Sequence, residues 1–400
     1  MNVTITPSRA IGAVQAPPSK SMGHRALLCG ALSSGSLIRN LSYSKDIEAT
    51  LSCLEAMGAQ VERIGNDVKI GGLDLARIPE GAVLPCNESG STLRFFTPLC
   101  MLSGKTATLE GSGRLFQRPM TVYEEIAQKQ NITWQLGDNS LTVSGKLQSG
   151  DYRVRGDVSS QFITGLLYTL PLLAGDSTLT VVGNFESASY IDLTLSALAD
   201  FGVQIRRDGP VFYIPGSQVF QSREYTVEGD CSNAAFLEAL NLLGGRVEVT
   251  GLKPDTLQGD RVYTQMFPSL GDGTPLFDLS DCPDLGPVMF AMAAAKGGAT
   301  FTGVSRLRIK ESDRIAAMAQ ELAKFGILVT SDENTATVHP GTLQTPTEAL
   351  YGHNDHRIVM SMALLCTLTG GTITDAQAVT KSFPDFFQQL QKLHIGVEIQ

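Results

Sequence analysis

The feature that most constrains this chain is a polar loop that opens an apolar helix and returns six times along 400 residues. The copies begin at Pro18-Ser19-Lys20-Ser21-Met22-Gly23-His24-Arg25, Asn87-Glu88-Ser89-Gly90-Ser91-Thr92-Leu93-Arg94, Gly156-Asp157-Val158-Ser159-Ser160-Gln161, Gly229-Asp230-Cys231-Ser232-Asn233, Cys282-Pro283-Asp284-Leu285-Gly286 and His353-Asn354-Asp355-His356-Arg357. Each runs into helix-forming apolar sequence, such as 26–32 or 162–173, that ends near a glycine. A second, amphipathic helix and a short alternating strand are expected after it, as in 188–201 with 203–205, or 312–325 with 327–329. The repeat is therefore α/β, roughly 55 to 75 residues long. A unit this small buries little surface alone, so three around a shared interior make a domain, and the six make two. The changes of domain are expected at residues 16–17 and 227–229, so that 1–16 joins 229–400 and 17–228 is an inserted three-repeat domain.

Composition narrows the partners. A formal charge of -9 and a pI near 5.1 oppose binding to a nucleic-acid backbone or an anionic membrane, so any anion site must come from basic residues gathered in one place. The seven cysteines are odd in number and contain no C-x-x-C pair. Neither a disulfide framework nor a zinc site is encoded, and a reducing cytoplasm is expected. Met1-Asn2-Val3-Thr4-Ile5-Thr6-Pro7 lacks the cationic-then-apolar order of a leader, and the longest apolar stretch, 166–174, is too short to span a bilayer.

Ser, Thr, Asn and Asp at a helix start satisfy free backbone N–H groups, and the same groups bind anions with the helix dipole. A single loop of this kind reads as an ordinary cap; six equivalent ones weaken that reading. Several also carry cations where the dipole prefers anions: Lys20, Arg25, Arg94 and Arg357. Local rules fail most often at functional sites, and this conflict points to an anionic ligand. Further cations, Arg118, Lys310, Arg314 and Lys381, are expected to open the second helices. Arginine holds a carboxylate or phosphate through two parallel bonds, while lysine supplies a compact charge that can also move a proton. For proton transfer the candidates are Asp284 and Glu311. Asp284 near arginines should stay a carboxylate able to accept a hydroxyl proton. Glu311 can donate one if buried beside another carboxylate, although Lys310 pulls the other way, and the sequence leaves that competition open.

Taken in order, Pro18-Ser19-Lys20-Ser21 through Arg25, Glu88-Ser89-Gly90-Ser91-Thr92-Leu93-Arg94, Gln117-Arg118-Pro119, Val158-Ser159-Ser160-Gln161-Phe162, Tyr190-Ile191-Asp192, Lys310-Glu311-Ser312-Asp313-Arg314, Asn354-Asp355-His356-Arg357 and Lys381-Ser382-Phe383-Pro384-Asp385 resemble the EPSP synthase family across nearly the whole chain. The resemblance implies a two-domain inside-out α/β barrel of the enolpyruvyl transferase type. Each domain would be a ring of three repeats with helices inside and sheets outside, closing on substrate in the cleft between them. It implies transfer of the enolpyruvyl group of phosphoenolpyruvate to the 5-hydroxyl of shikimate 3-phosphate by a monomeric cytoplasmic enzyme, with no metal or organic cofactor.

The same resemblance assigns roles. Lys20, Gly90, Arg94, Arg118, Gln161, Arg314, Arg357 and Lys381 would bind phosphoenolpyruvate. Lys20, Ser21, Arg25, Ser159, Ser160, Gln161, Ser187, Tyr190, Asp284 and Lys310 would bind shikimate 3-phosphate. Asp284 would accept the hydroxyl proton, Glu311 would protonate the methylene carbon, and Lys20 would carry a proton during elimination of phosphate. Two positions depart from the family pattern: Glu88 stands where many relatives place Asn and Arg306 where some do, which puts their anion contacts in doubt. The rival with the same fold and donor, the UDP-N-acetylglucosamine enolpyruvyl transferases, usually has Lys-Asn in the first loop, where Lys20-Ser21 stands here. That family often places a cysteine before its Arg-Pro, where this chain has Gly113-Arg114-Leu115-Phe116-Gln117. A non-catalytic phosphate-ligand sensor on this scaffold would have lost Glu311, Asp284 or Lys20, and all three remain.

Overall fold

Five of the six repeated loops cap their helix with a side chain: Ser19 accepts from Met22 N, Ser89 from Thr92 N, Ser159 from Gln161 N, Asp230 from Asn233 N and Asp355 from Arg357 N. In the fifth loop Asp284 lies in a 3-10 turn, Pro283–Leu285, and makes no such cap. The computed structural model describes residues 1–400, and the chain divides into an inserted unit, Pro18–Glu228, and a terminal unit, Met1–Pro17 with Gly229–Gln400.

The helices of the inserted unit are α1 (Lys20–Leu32), α2 (Lys45–Ala56), α3 (Gly90–Cys100), α4 (Thr121–Lys129), α5 (Ser160–Thr169) and α6 (Ala188–Asp200). Contacts run α1 to α2, α2 to α3, α3 to α5, α5 to α6 and α6 back to α1, which closes a ring. Three four-stranded sheets cover the ring with one shared topology, a parallel pair followed by an antiparallel hairpin. In the third, Asp151–Arg155 runs parallel to Ser177–Val182, which pairs in turn with the hairpin of Val211–Ile214 and Arg206–Asp208. Ser177–Val182 alternates buried and half-buried positions, as a strand with one face on a core must. In the first sheet the parallel partner of Gly35–Arg39 is Glu224–Thr226, from the far end of the unit, so the chain itself fastens the ring. Phe95, Phe96, Tyr123, Phe162, Tyr168 and Phe212 fill the core.

The terminal unit carries α7 (Cys231–Leu242), α8 (Tyr263–Met266), α9 (Gly286–Lys296), α10 (Arg314–Lys324), α11 (His356–Thr369) and α12 (Phe386–Lys392). Here α7, α9 and α11 pack pairwise, and twelve of the fourteen residues of α11 are buried. A helix apolar on all sides can only be a core helix, which is why these repeats place it inside and the sheets outside.

The repeats are less uniform than their loops. The fourth has a four-residue second helix and a two-stranded sheet, Arg246–Thr250 parallel to Ile11–Gln15, with no hairpin. In the sixth, Val3–Thr6 lies between Gly371–Thr374 and Gly396–Ile399, so the N-terminal strand completes a sheet begun at the other end of the chain. The strands expected at 203–205 and 327–329 begin later, at Arg206 and Val329, because the turn after each helix consumes the intervening residues. The cations expected at second-helix starts also differ. Arg314 opens α10, but Arg118 follows the 3-10 turn Leu115–Gln117, and Lys381 ends the 3-10 turn Ala376–Lys381.

Candidate active site

In the inserted unit, the first turns of α1, α3, α5 and α6 carry most of the expected residues. Arg25 is buried and donates to the Thr194 hydroxyl at 3.0 Å and to the carbonyls of Ser21 at 2.7 Å and Tyr190 at 2.8 Å. All three acceptors are neutral, so burial lowers its pKa, and an anion at this guanidinium relieves the cost of the charge. Arg94, 2 % exposed, donates to Gln161 Oε1 at 2.7 Å and lies over the Phe162 ring, 4.9 Å from its centroid. Gln161 then donates to Ser91 Oγ at 3.0 Å, so that one amide joins the starts of α3 and α5. Lys20 pairs with Asp46 at 2.7 Å. Ser160 is buried in the first turn of α5, Ser159 is its cap, and Ser187 sits buried at φ 54° just before α6. Gly90 is the first residue of α3 and lies against the Arg118 guanidinium. The Glu88 carboxylate lies against Gly113, in the loop that leads to Arg118.

In the terminal unit a single carboxylate collects three cations. Asp284 Oδ1 accepts from Arg314 Nη1 at 2.9 Å and Lys310 Nζ at 3.3 Å, while Oδ2 accepts from Arg357 Nη2 at 3.0 Å. Arg314 also donates to Glu311 Oε2 at 2.8 Å and, through Nε, to Asp355 Oδ2 at 2.9 Å, which Ser312 Oγ reaches at 3.0 Å. Burial works against the Arg314 charge, but Asp355, Glu311 and Asp284 outweigh it and raise its pKa. Asp355 is the counterpart: burial favours its neutral form, yet Arg314 holds its pKa below the usual carboxylate range. Lys310 goes the other way, because burial, against the pull of Asp284, brings it down to about 8. Arg357 is buried, and its Nε and Nη1 have no partner. Lys381 is held in place by the carbonyl of Asn354, 2.6 Å away.

The expected residues thus gather into local sets. Arg25 joins Ser21 and Tyr190, Gln161 joins Arg94, and Gly90 lies against Arg118. Asp284 joins Lys310, Arg314 and Arg357, and Arg314 also pairs with Glu311. Sequence reasoning did not pick out Asp46, Thr194 or Asp355 as partners of Lys20, Arg25 and Arg314. The only signal for Asp355 was its place one residue before the His-Arg pair, where a cap was expected and a buried counter-ion also stands. No group of three or more His, Cys, Asp and Glu side chains is arranged to hold a metal ion, all seven cysteines are free and buried, and no helix is long and apolar enough to cross a membrane.

A family model described as EPSP synthase (3-phosphoshikimate 1-carboxyvinyltransferase) matches residues 5–274 and 272–390. The chain belongs to the EPSP synthase family. A 3-phosphoshikimate 1-carboxyvinyltransferase of Clostridium kluyveri is 40% identical over 422 aligned positions, covering 98% of this chain and 97% of that protein. One from Clostridioides difficile is 36% identical with the same coverage. Among solved structures, an EPSP synthase from Acinetobacter baumannii superposes with a TM-score of 0.80 at 22% identity over the full length of both chains, a likeness of fold.

Proposed function

We propose that the chain transfers the 1-carboxyvinyl group of phosphoenolpyruvate to the 5-hydroxyl of shikimate 3-phosphate, releasing phosphate. The observation that carries this reading is the pair of buried guanidiniums with unused capacity for anions: Arg25, with neutral acceptors, and Arg357, with two unpartnered nitrogens. Arg25 with Ser21, Ser159, Ser160, Gln161, Ser187 and Tyr190 holds the phosphorylated acceptor, together with Lys310. Arg94, Arg118, Arg314, Arg357 and Lys381 hold the donor's phosphate and carboxylate, with Lys20 between the two roles.

The chemistry begins with Asp284. Ringed by Lys310, Arg314 and Arg357, it becomes free to take a proton once the acceptor draws Lys310 away and the donor draws Arg314 and Arg357. Asp284 then takes the 5-hydroxyl proton as the oxygen bonds to the central carbon of phosphoenolpyruvate, and Glu311, released from its ion pair when the donor claims Arg314 and protonated from water, delivers that proton to the methylene. Glu311, now a carboxylate, takes a proton back from the new methyl as phosphate leaves the tetrahedral adduct and the double bond is restored, while Lys20 carries a proton to the departing phosphate. Because the sites for developing charge are built from buried cations, the stabilisation is greater than the same groups provide in water.

Phosphate release with phosphoenolpyruvate and either shikimate 3-phosphate or UDP-N-acetylglucosamine tests the reading. Turnover is expected with the first acceptor and not the second; the reverse outcome assigns the chain to the rival chemistry, and none with either marks a binding protein. We further propose that the protein acts as a monomer in the cytoplasm, which fits its seven free, buried cysteines.

A further inference from the structure

Glu321, two turns along α10 from Arg314, is fully buried and ionised: its pKa lies below the usual range, since His353, Lys324 and the Tyr351 amide together outweigh burial. Oε1 accepts from His353 Nε2 at 2.8 Å, and Oε2 from Lys324 Nζ at 2.8 Å and from Tyr351 N at 2.9 Å. His353 and Asn354 both have left-handed backbone, φ 51° and 49°, a conformation that costs a histidine free energy unless its surroundings hold it there. The turn they form is the entry to α11. The Asn354 carbonyl accepts from Lys381, the next residue Asp355 pairs with Arg314, and Arg357 follows within the first turn of the helix. The imidazole also rests on the Tyr351 ring, with centroids 4.8 Å apart.

We infer that Glu321 and His353 form a buried clamp that positions Lys381 and Arg357 for the donor anion by holding the strained turn between them. Both are positioning residues; neither lies among the groups assigned to substrate. Glu321 needs three donors to be tolerable as a buried charge, and two of them, His353 and the Tyr351 amide, belong to the segment that leads into α11. The left-handed turn aims the Asn354 carbonyl at Lys381, and losing the clamp frees the turn to relax toward ordinary backbone, carrying that carbonyl away. The inference rests on the reading of Lys381 and Arg357 as phosphoenolpyruvate ligands.

The test compares His353→Asn, which tolerates left-handed backbone but is too short to reach Glu321, with His353→Gln, whose terminal amide reaches about as far as the imidazole Nε2. Lys381→Ala serves as the control for the donor site. In the full chain, His353→Asn is expected to raise the KM for phosphoenolpyruvate on the order of tenfold, with the KM for shikimate 3-phosphate little changed. His353→Gln should recover most of that loss. Glu321→Ala is expected to act like His353→Asn and also to lower the melting temperature; if it does not fold, the two His353 variants decide. An unchanged KM for phosphoenolpyruvate in His353→Asn, a parallel rise for both substrates, or no recovery in His353→Gln overturns the clamp, provided Lys381→Ala weakens the donor. If Lys381→Ala leaves the donor KM unchanged, the donor-site reading fails, and the clamp's proposed purpose with it.

Discussion

A Cβ added at Gly90 would lie 2.6 Å from Nη1 of Arg118 and 2.9 Å from its Cζ. Gly90 is not among the glycines with positive φ, so its backbone angles are open to alanine and do not explain the residue. What the missing side chain makes room for is a guanidinium assigned to the donor.

Gly90→Ala should therefore leave thermal stability nearly unchanged and displace the end of Arg118. Glyphosate, a slightly longer phosphoenolpyruvate mimic in this family, should lose more affinity than phosphoenolpyruvate itself, by about 1 to 3 kcal/mol. Inhibition constant, KM and melting temperature measured together check this; parallel losses in all three reject the assignment of Gly90 to the donor wall.

Asp284→Asn and Glu311→Gln should each lower kcat on the order of a hundredfold or more. Their effects on stability should differ. Asp284 neutralises three cations, so its loss leaves Lys310, Arg314 and Arg357 repelling one another, whereas after loss of the Glu311 charge Arg314 keeps Asp284 and Asp355 as partners. Steady-state kinetics and melting curves separate the two effects, and near-normal turnover in either variant rejects that residue's assigned role.

Lys310 supplies a pH signature. Its amine is brought down to about 8 from an ordinary 10.5, so in the free enzyme the charge we propose for binding shikimate 3-phosphate is lost above about pH 8. The value of kcat/KM for shikimate 3-phosphate should fall on that alkaline side. Lys310→Arg, charged at every accessible pH, should move the fall to higher pH even if the maximum is lower. The stability effect has the opposite slope. The unfolded amine keeps its proton up to its ordinary pKa, so the penalty for burying the charge is full below pH 8 and fades as pH rises from 8 toward 10.5. An alkaline limb unchanged in Lys310→Arg assigns that limb to another group.

The Arg314–Asp355 pair, with both side chains at or below 2 % exposure, should contribute to stability as well as to the site. Asp355→Ala leaves Arg314 buried with Glu311 and Asp284 alone and removes the cap of α11, and is expected to cost about 3 to 5 kcal/mol. Because Asp355 has a lowered pKa, the contribution of its charge is present at neutral pH. It should fade as the solution is acidified below the ordinary carboxylate range. Melting temperatures at pH 7 and near pH 2 check both statements; a difference between wild type and variant that stays constant with pH contradicts the second.

The recurrence of polar loops and apolar helices was legible because a helix that is apolar on every side can be placed only inside, and because Ser and Asp mark helix starts through a local hydrogen bond. Arg25, Arg94 and Arg357 stood out for a similar local reason: they occupy helix starts where the dipole disfavours them. Local pattern did not reveal that the fourth repeat lacks its hairpin, or that Val3–Thr6 completes the sixth sheet, since strand pairing joins residues hundreds of positions apart. Nor did it reveal that Asp355 is the partner of Arg314 and Glu321 the anchor of His353, or that Asp284 collects three cations. Which charge meets which, and how far burial shifts each one, depends on distances across the packed core. Sequence alone therefore determined the repeat, the placement of its helices and the types of charge at their starts, while tertiary packing decided the pairing of those charges and their strength.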